Sequence, residues 1–200
     1  MEKKLRFLID VDEVLRELLS NMIFLYNKEF NENIRYDDVK DFKVETSFPK
    51  IQEITGVTAS QWFFQDNGDK LFLNSQPFPY IKKDIEILKM YGEVIIVTYQ
   101  KSYINKHQTL EWLEKNGIEP DGICFLKDKT IISGDYFIDD NDWNFIGCNA
   151  KIGILINAPY NKHVDTIELL KKTNCESLKR FESLHDFVCN FQLWQKINKN

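Results

Sequence analysis

At 200 residues the chain is long enough for one sizeable hydrophobic core, and a single domain carrying an insertion is the default expectation. Its composition, 43% hydrophobic and 28% charged, is that of an ordinary globular protein, and no apolar run approaches the roughly 18–20 residues of a membrane span. A formal charge of −5 argues against a broad nucleic-acid surface, which needs a clustered basic face, so neither a membrane nor a nucleic-acid polymer is expected as partner.

Met1-Glu2-Lys3-Lys4 leads into only a few apolar residues before Asp10, too few for a secretory leader, and a cytoplasmic location is expected. Cys124, Cys148, Cys175 and Cys189 stand far apart with no CxxC pair, which predicts reduced thiols rather than a disulfide framework or a zinc site. His107, His163 and His185 lack metal-ligand spacing and are expected on helix surfaces or caps.

The first strand is Leu5–Ile9, a short apolar run that ends abruptly in Asp10-Val11-Asp12. In an open α/β sheet, ligands sit just beyond the carboxyl ends of the strands. Two carboxylates there suit a cation or a reacting group. Equally, Asp10 could close the strand and Asp12 cap the next helix. A helix is predicted over Glu13–Phe30 and another over Ala59–Asp66, with Thr58 as N-cap. Next come a helix over Pro79–Tyr91, a strand over Glu93–Thr98 and a helix over Lys101–Asn116. Strands over Gly122–Leu126, Tyr136–Ile138 and Lys151–Ile156 follow, then helices over His163–Lys172 and Ser183–Trp194, the last capped by Ser183. Strands alternating with helices imply a mostly parallel sheet covered on both faces.

One interval is out of scale. Asp12 and Thr98 are 86 positions apart, whereas a whole βαβ unit takes roughly 30 residues. Something of about fifty residues is therefore inserted after the first strand. It is rich in aromatics, among them Tyr26, Phe42, Trp62, Phe63, Phe64 and Phe72, and reads as a small helical cap over the strand ends. The expected division is a core of residues 1–15 and 77–200 with a cap of 16–76.

Three strands end in polar groups that suit a single chemistry. The first ends in Asp10 and Asp12, the second in Thr98, and the third in Asp139-Asp140, with Lys129 ten positions before Asp139. Taken singly, Asp139-Asp140 reads as a polar turn, Thr98 as a strand-end hydroxyl and Lys129 as a solvated charge. Taken together, parallel neighbours would bring four carboxylates, a hydroxyl and an ammonium to one edge. Clustered carboxylates repel and stay ionised only beside a cation. An all-oxygen site suits Mg²⁺, which takes one or two carboxylates plus substrate phosphate. Thr98 and Lys129 would then hold phosphate oxygens.

This ordered set resembles the four motifs of the haloacid dehalogenase superfamily of phosphotransferases. Within it the likeness is to the 5′(3′)-deoxyribonucleotidase family. It extends over nearly the whole chain and is carried by the cap's size and position, by the run from Asp128 to Asp140 (DKTIISGDYFIDD), and by Gly153 to Asn161 (GILINAPYN). The resemblance implies an α/β fold: a Rossmannoid parallel sheet with helices on both faces and a small α-helical cap inserted after the first strand. It further implies a Mg²⁺-dependent phosphomonoesterase acting on (deoxy)ribonucleoside monophosphates through an aspartyl-phosphate. Asp10 would be the nucleophile and Asp12 the general acid, then base. Asp10, the backbone carbonyl of Asp12, and Asp140 would hold the metal, Asp139 would support Lys129 and the metal's surroundings, and Thr98 and Lys129 would bind the phosphoryl group.

Two positions depart from the family pattern. Glu13 stands where many relatives carry Gly, and Tyr99-Gln100 where relatives often have Ser-Pro. Both leave the chemistry standing and bear on the substrate. Trp62, Phe63 and Phe64 are candidates for stacking on a nucleobase, although a small cap also needs aromatics for its own core. The alternatives are a phosphatase for another small phosphate ester or a nucleic-acid end, and a non-catalytic nucleotide-binding protein. A small cap is expected to admit a mononucleotide and exclude a duplex. Intact Asp10, Asp12, Lys129 and Asp140 favour an enzyme.

Overall fold

Buried alternation along short apolar strands decides the architecture. A computed structural model describes residues 4–197; residues 1–3 and 198–200, which the expected core includes and on which part of the leader reading rests, lie outside it. The strands are β1 (Leu5–Ile9), β2 (Gly92–Thr98), β3 (Gly122–Phe125), β4 (Ser133–Asp139), β5 (Asn149–Ile156) and β6 (Ser177–Phe181). They form one sheet in the order β3-β2-β1-β4-β5-β6, and every pairing is parallel. The helices are α1 (Leu18–Phe30), α2 (Val44–Ser47), α3 (Pro49–Thr55), α4 (Ala59–Gln61), α5 (Gly68–Phe72), α6 (Ile81–Lys89), α7 (Tyr103–Lys115), α8 (Thr166–Leu170) and α9 (Leu184–Ile197).

Side chains alternate across a strand, so each strand feeds two cores. Phe7, Ile9, Val94, Ile96, Tyr136, Ile138, Ile154 and Ile156 pack on one face against residues of α6, α7 and α9 such as Ile85, Trp112 and Phe187. Leu8, Val97, Phe137 and Leu155 pack on the other against Phe145 and Leu169. Covered on both faces, the central strands need continuous apolar runs, which is why they are legible in the sequence. β6 was not among the expected strands. Ser177-Leu178-Lys179-Arg180-Phe181 borders only β5, and an edge strand with two cations carries no apolar run.

The segment after β1 also differs from expectation. α1 begins at Leu18 rather than Glu13, because residues 11–17 form a tight loop and then a linker. Leu15 and Arg16 both donate backbone N–H bonds to Val11 O, Glu17 N–H donates to Gln76 O at 2.9 Å, and Phe78 N–H donates to Leu15 O at 3.0 Å. The two chain crossings into and out of the insert are thus bonded to each other. Beyond them α1–α5 surround a separate core built from Leu19, Tyr26, Phe48, Ile51, Phe63 and Phe72. Thr58 Oγ1 caps α4 by accepting from Gln61 N–H, and the chain then widens into a π-turn over Trp62–Asp66. Ser183 Oγ accepts from Asp186 N–H at 3.1 Å at the start of α9.

Cys148 and Cys175, distant in sequence, bring their sulfurs to 3.3 Å with both thiols free. His185, on α9, pairs its Nδ1 with the buried Asp84 carboxylate of α6 at 2.9 Å. Among the described residues, no helix is long and apolar enough to cross a membrane.

Candidate active site

The sheet register sets the site. Ile9 is level with Ile96 of β2 and Ile138 of β4, so Asp10 and Asp139, one position on, and Thr98 and Asp140, two positions on, emerge together at the carboxyl edge. Asp10 donates its backbone N–H to Ile138 O at 3.0 Å, which continues the strand pairing and fixes its side chain at the rim. Lys129 reaches the same place from a 3-10 turn over Lys129–Ile131, whose start is held by Asp128 Oδ1 accepting from Thr130 N–H. Lys129 is 4% exposed and bridges two carboxylates: Nζ lies 2.7 Å from Asp139 Oδ2 and 3.1 Å from Asp10 Oδ1. Burial pulls its ammonium down, but the two carboxylates outweigh burial and hold it above its ordinary value.

Asp139 is fully buried and saturated, accepting from Lys129, from Asn141 N–H at 2.9 Å, and from Asn144 Nδ2 on both oxygens. Burial pushes its carboxyl up against the opposing pull of Lys129. Asp140 is held at its backbone oxygen by Asn161 Nδ2 at 2.6 Å and at Oδ2 by the Tyr160 hydroxyl. Burial, with Asp139 and Asp10 beside it, holds the Asp140 carboxyl well above the usual range.

Asp12 faces another way. Its Oδ1 accepts from Arg16 Nε at 2.8 Å and lies 2.6 Å from Arg16 Nη2, while its Oδ2 accepts from Gln100 Nε2 at 3.0 Å. Burial pushes its carboxyl up and Arg16 opposes that shift. Glu13, next in the chain, adopts φ 56°, the left-handed region that favours glycine. Its carboxylate explains how a non-glycine residue is held there: it accepts from Leu19 N–H at 2.6 Å, at the first turn of α1, and from the Tyr36 hydroxyl at 2.7 Å. Burial pushes Glu13 up to about 7.

A cavity of about 750 Å³ separates the strand ends from the insert. Asp10, Asp12, Thr98, Lys129 and Asp140 line its floor, and Leu18, Met22, Phe42, Phe48 and Phe64 line the opposite wall. The three candidate stacking residues separate here. Phe64 lines the cavity, whereas Trp62 and Phe63 do not and are buried in the insert's own core, Phe63 in edge contact with Phe48 at 5.0 Å. Of the three, Phe64 alone turns out of that core onto the cavity, beside its neighbour Gln65.

The donor set fits a hard cation. Side-chain oxygens of Asp10, Asp139 and Asp140 lie within 4.8 Å of one another, and the buried Asp10 Oδ1 has the Lys129 ammonium at 3.1 Å beside it. The Asp12 carboxylate is not part of that cluster, so any ligand from Asp12 falls to its backbone carbonyl. The sequence pattern does not single out Arg16, Asn144 and Tyr36 as site residues, and it marks Gln100 only as part of the Tyr99-Gln100 departure, not as a partner of Asp12. Arg16 interrupts the apolar run Val14-Leu15…Leu18-Leu19, a signal that a helix-surface reading absorbs.

The fold is that of the haloacid dehalogenase-like hydrolases. A haloacid dehalogenase-like family hydrolase from Streptococcus pneumoniae superposes with a TM-score of 0.60, covering 96% of this chain and 100% of its own at 15% identity. The magnesium-bound HAD-hydrolase YfnB from Bacillus subtilis gives a TM-score of 0.56, covering 98% and 100% at 13% identity. More particularly, the chain belongs to the family of 5′ nucleotidase, deoxy (pyrimidine), cytosolic type C proteins, whose sequence profile matches residues 4–177. It is thus a phosphomonoester hydrolase by class. A Bacillus cereus protein provisionally described as a nucleotidase is 24% identical, over 92% of this chain and 98% of its own. A Staphylococcus epidermidis protein provisionally described as a 5′(3′)-deoxyribonucleotidase is 25% identical, over 82% and 88%.

Proposed function

We propose that the protein hydrolyses nucleoside monophosphates, deoxyribonucleotides first among them, through an aspartyl-phosphate on Asp10, with residues 16–76 acting as a cap that selects the nucleoside. The observation that carries this reading is the pairing, across one cavity, of Asp10, Thr98 and Lys129 with an apolar wall containing Phe64. A phosphate and a base have those two chemistries, and a cavity of this size is in the range of small-ligand sites. The description of the Staphylococcus epidermidis relative supports the same substrate class.

Lys129 and Thr98 take phosphoryl oxygens, Lys129 as a charge and Thr98 as a donor. Asp10 attacks phosphorus as the bond to the nucleoside oxygen breaks, and Asp12 gives that oxygen its proton. Asp12, now ionised, takes a proton from water. The water oxygen attacks phosphorus, the bond to Asp10 breaks, and inorganic phosphate leaves. Asp139 keeps Lys129 in place throughout. Asp10, the Asp12 carbonyl and Asp140 would hold Mg²⁺, which when bound supplies positive charge against the phosphate and the clustered carboxylates.

A phosphate-release screen tests this. Ribo- and deoxyribonucleoside 5′- and 3′-monophosphates and sugar phosphates are compared with Mg²⁺ and with EDTA. Release should need Mg²⁺ and be fastest on nucleotides. Full activity in a chelated sample, or a preference for sugar phosphates, overturns the reading.

A further inference from the structure

We propose that Arg16 is a positioning residue for the general acid: from the linker between core and insert it fixes the Asp12 carboxylate against the cavity, tying acid placement to the linker's conformation. The inference rests on the reading of Asp12 as the acid.

Burying a guanidinium is unfavourable unless it is paired, and Arg16 is 0% exposed. Its ionic partner is Asp12. Two N–H groups converge on Asp12 Oδ1, and Gln100 takes one position on Oδ2, which leaves the second lone pair of Oδ2 to carry the proton of a residue that lines the cavity. Arg16 itself does not line the cavity, so it cannot reach a phosphate and acts through Asp12.

The guanidinium is also gripped from behind. Its carbon lies 4.8 Å from the Phe72 ring and 5.1 Å from the Trp112 ring, and Nη2 donates to Thr109 Oγ1 at 3.3 Å. Trp112 is fixed in turn by its indole N–H donating to Ser75 O at 2.8 Å. Phe72 belongs to the insert and Trp112 to the core, so Arg16 is clamped between the two bodies. Its backbone bridges Pro77 on the returning chain. A shift of the linker therefore moves the group that sets the Asp12 rotamer. A lysine, a point charge without a planar fork, could not make the same two contacts while lying on the rings.

The test is a double-mutant cycle on the full chain with Mg²⁺, using Arg16→Met, Asp12→Asn and the pair, read as kcat on a deoxynucleoside monophosphate and on p-nitrophenyl phosphate. Proton donation is worth roughly 10²–10⁴ in rate for a poor leaving group. Losing its placement should cut nucleotide kcat by about 10- to 100-fold, with KM little changed and a much smaller loss on p-nitrophenyl phosphate. In the Asp12→Asn background Arg16→Met should add nothing, because residues acting as a unit are not additive. Arg16→Lys, which keeps the charge, should recover part of the loss, and it replaces Arg16→Met in the cycle if that variant does not fold. Equal losses on both substrates, or a full further loss in the Asp12→Asn background, overturn the role of Arg16. An inactive wild type overturns the nucleotidase reading and this inference with it; an active wild type with an additive cycle overturns the inference alone.

Discussion

Truncating Phe64 should impair nucleotide turnover and spare the fold, whereas truncating either aromatic before it should do the reverse. Phe64 contributes a half-buried ring to the cavity wall, and its backbone oxygen is held independently by Asn105 Nδ2 at 2.9 Å. The Phe64→Ala backbone should therefore stay in place, with a stability loss of about 1 kcal/mol for a ring buried on one side. Base–aromatic stacking is worth on the order of 1–3 kcal/mol, or roughly 5- to 150-fold in kcat/KM. That loss should fall on nucleotides and barely touch p-nitrophenyl phosphate. Phe63 is different: its ring is 0% exposed and in edge contact with Phe48 and Trp62. Phe63→Ala should cost about 3–5 kcal/mol, which lowers Tm by roughly 6–20 °C in a protein of this length. The assay pairs kcat/KM on the two substrates with thermal denaturation of each variant. If Phe64→Ala keeps wild-type selectivity, or Trp62→Ala and Phe63→Ala alter selectivity at unchanged Tm, the placement of recognition in this wall is refuted.

Asp10→Asn should abolish turnover while the melting curve survives, since the amide cannot form the phosphorylated intermediate. Asp12→Asn should slow nucleotides by roughly 10²–10⁴ and p-nitrophenyl phosphate far less, because p-nitrophenolate leaves without a proton; equal losses would leave Asp12 only a structural role. Away from the site, burial raises Asp84 above 3.8 despite the opposing His185, so the folded chain binds more protons there than the unfolded one. Stability carried by that proton is full below 3.8 and falls as pH rises through the folded value, so Asp84→Asn should gain on wild type across that window. Denaturant midpoints from acid to neutral pH check the sign, and a constant difference between the two proteins rejects it.

Much of the fold is legible in the sequence because burial writes itself into local pattern. β1, β2, β4 and β5 are covered on both faces toward their carboxyl ends, so each carries an unbroken apolar stretch there (residues 7–9, 94–97, 136–138 and 154–156), and the helices between them force a parallel sheet. The 86 positions between Asp12 and Thr98 announce the insert for a similar reason, since a simple crossover is far shorter. β6 escapes because Lys179 and Arg180 interrupt its run, which an edge position tolerates, whereas the other edge strand, β3, keeps Ile123-Cys124-Phe125 unbroken.

The candidate residues Asp10, Thr98, Asp139 and Asp140 could be chosen from order and spacing, because a polar group at the end of a buried strand has few places to go, and Lys129 by its position ten residues before Asp139. What surrounds them was decided by the tertiary structure alone. The local pattern made residues 13–17 the start of a helix, yet Glu17 and Leu15 bond instead to Gln76 and Phe78 from the far end of the insert. Nothing local to Arg16 announces that Phe72 and Trp112 lie against its guanidinium. Trp62, Phe63 and Phe64 are alike as residue types, and only the packing of Phe30 and Phe48 selects which ring is left for the cavity. Periodicity along a chain records how deeply each residue is buried. It does not record what the residue is buried against, because those partners arrive from tens of positions away when the core and the insert close on each other.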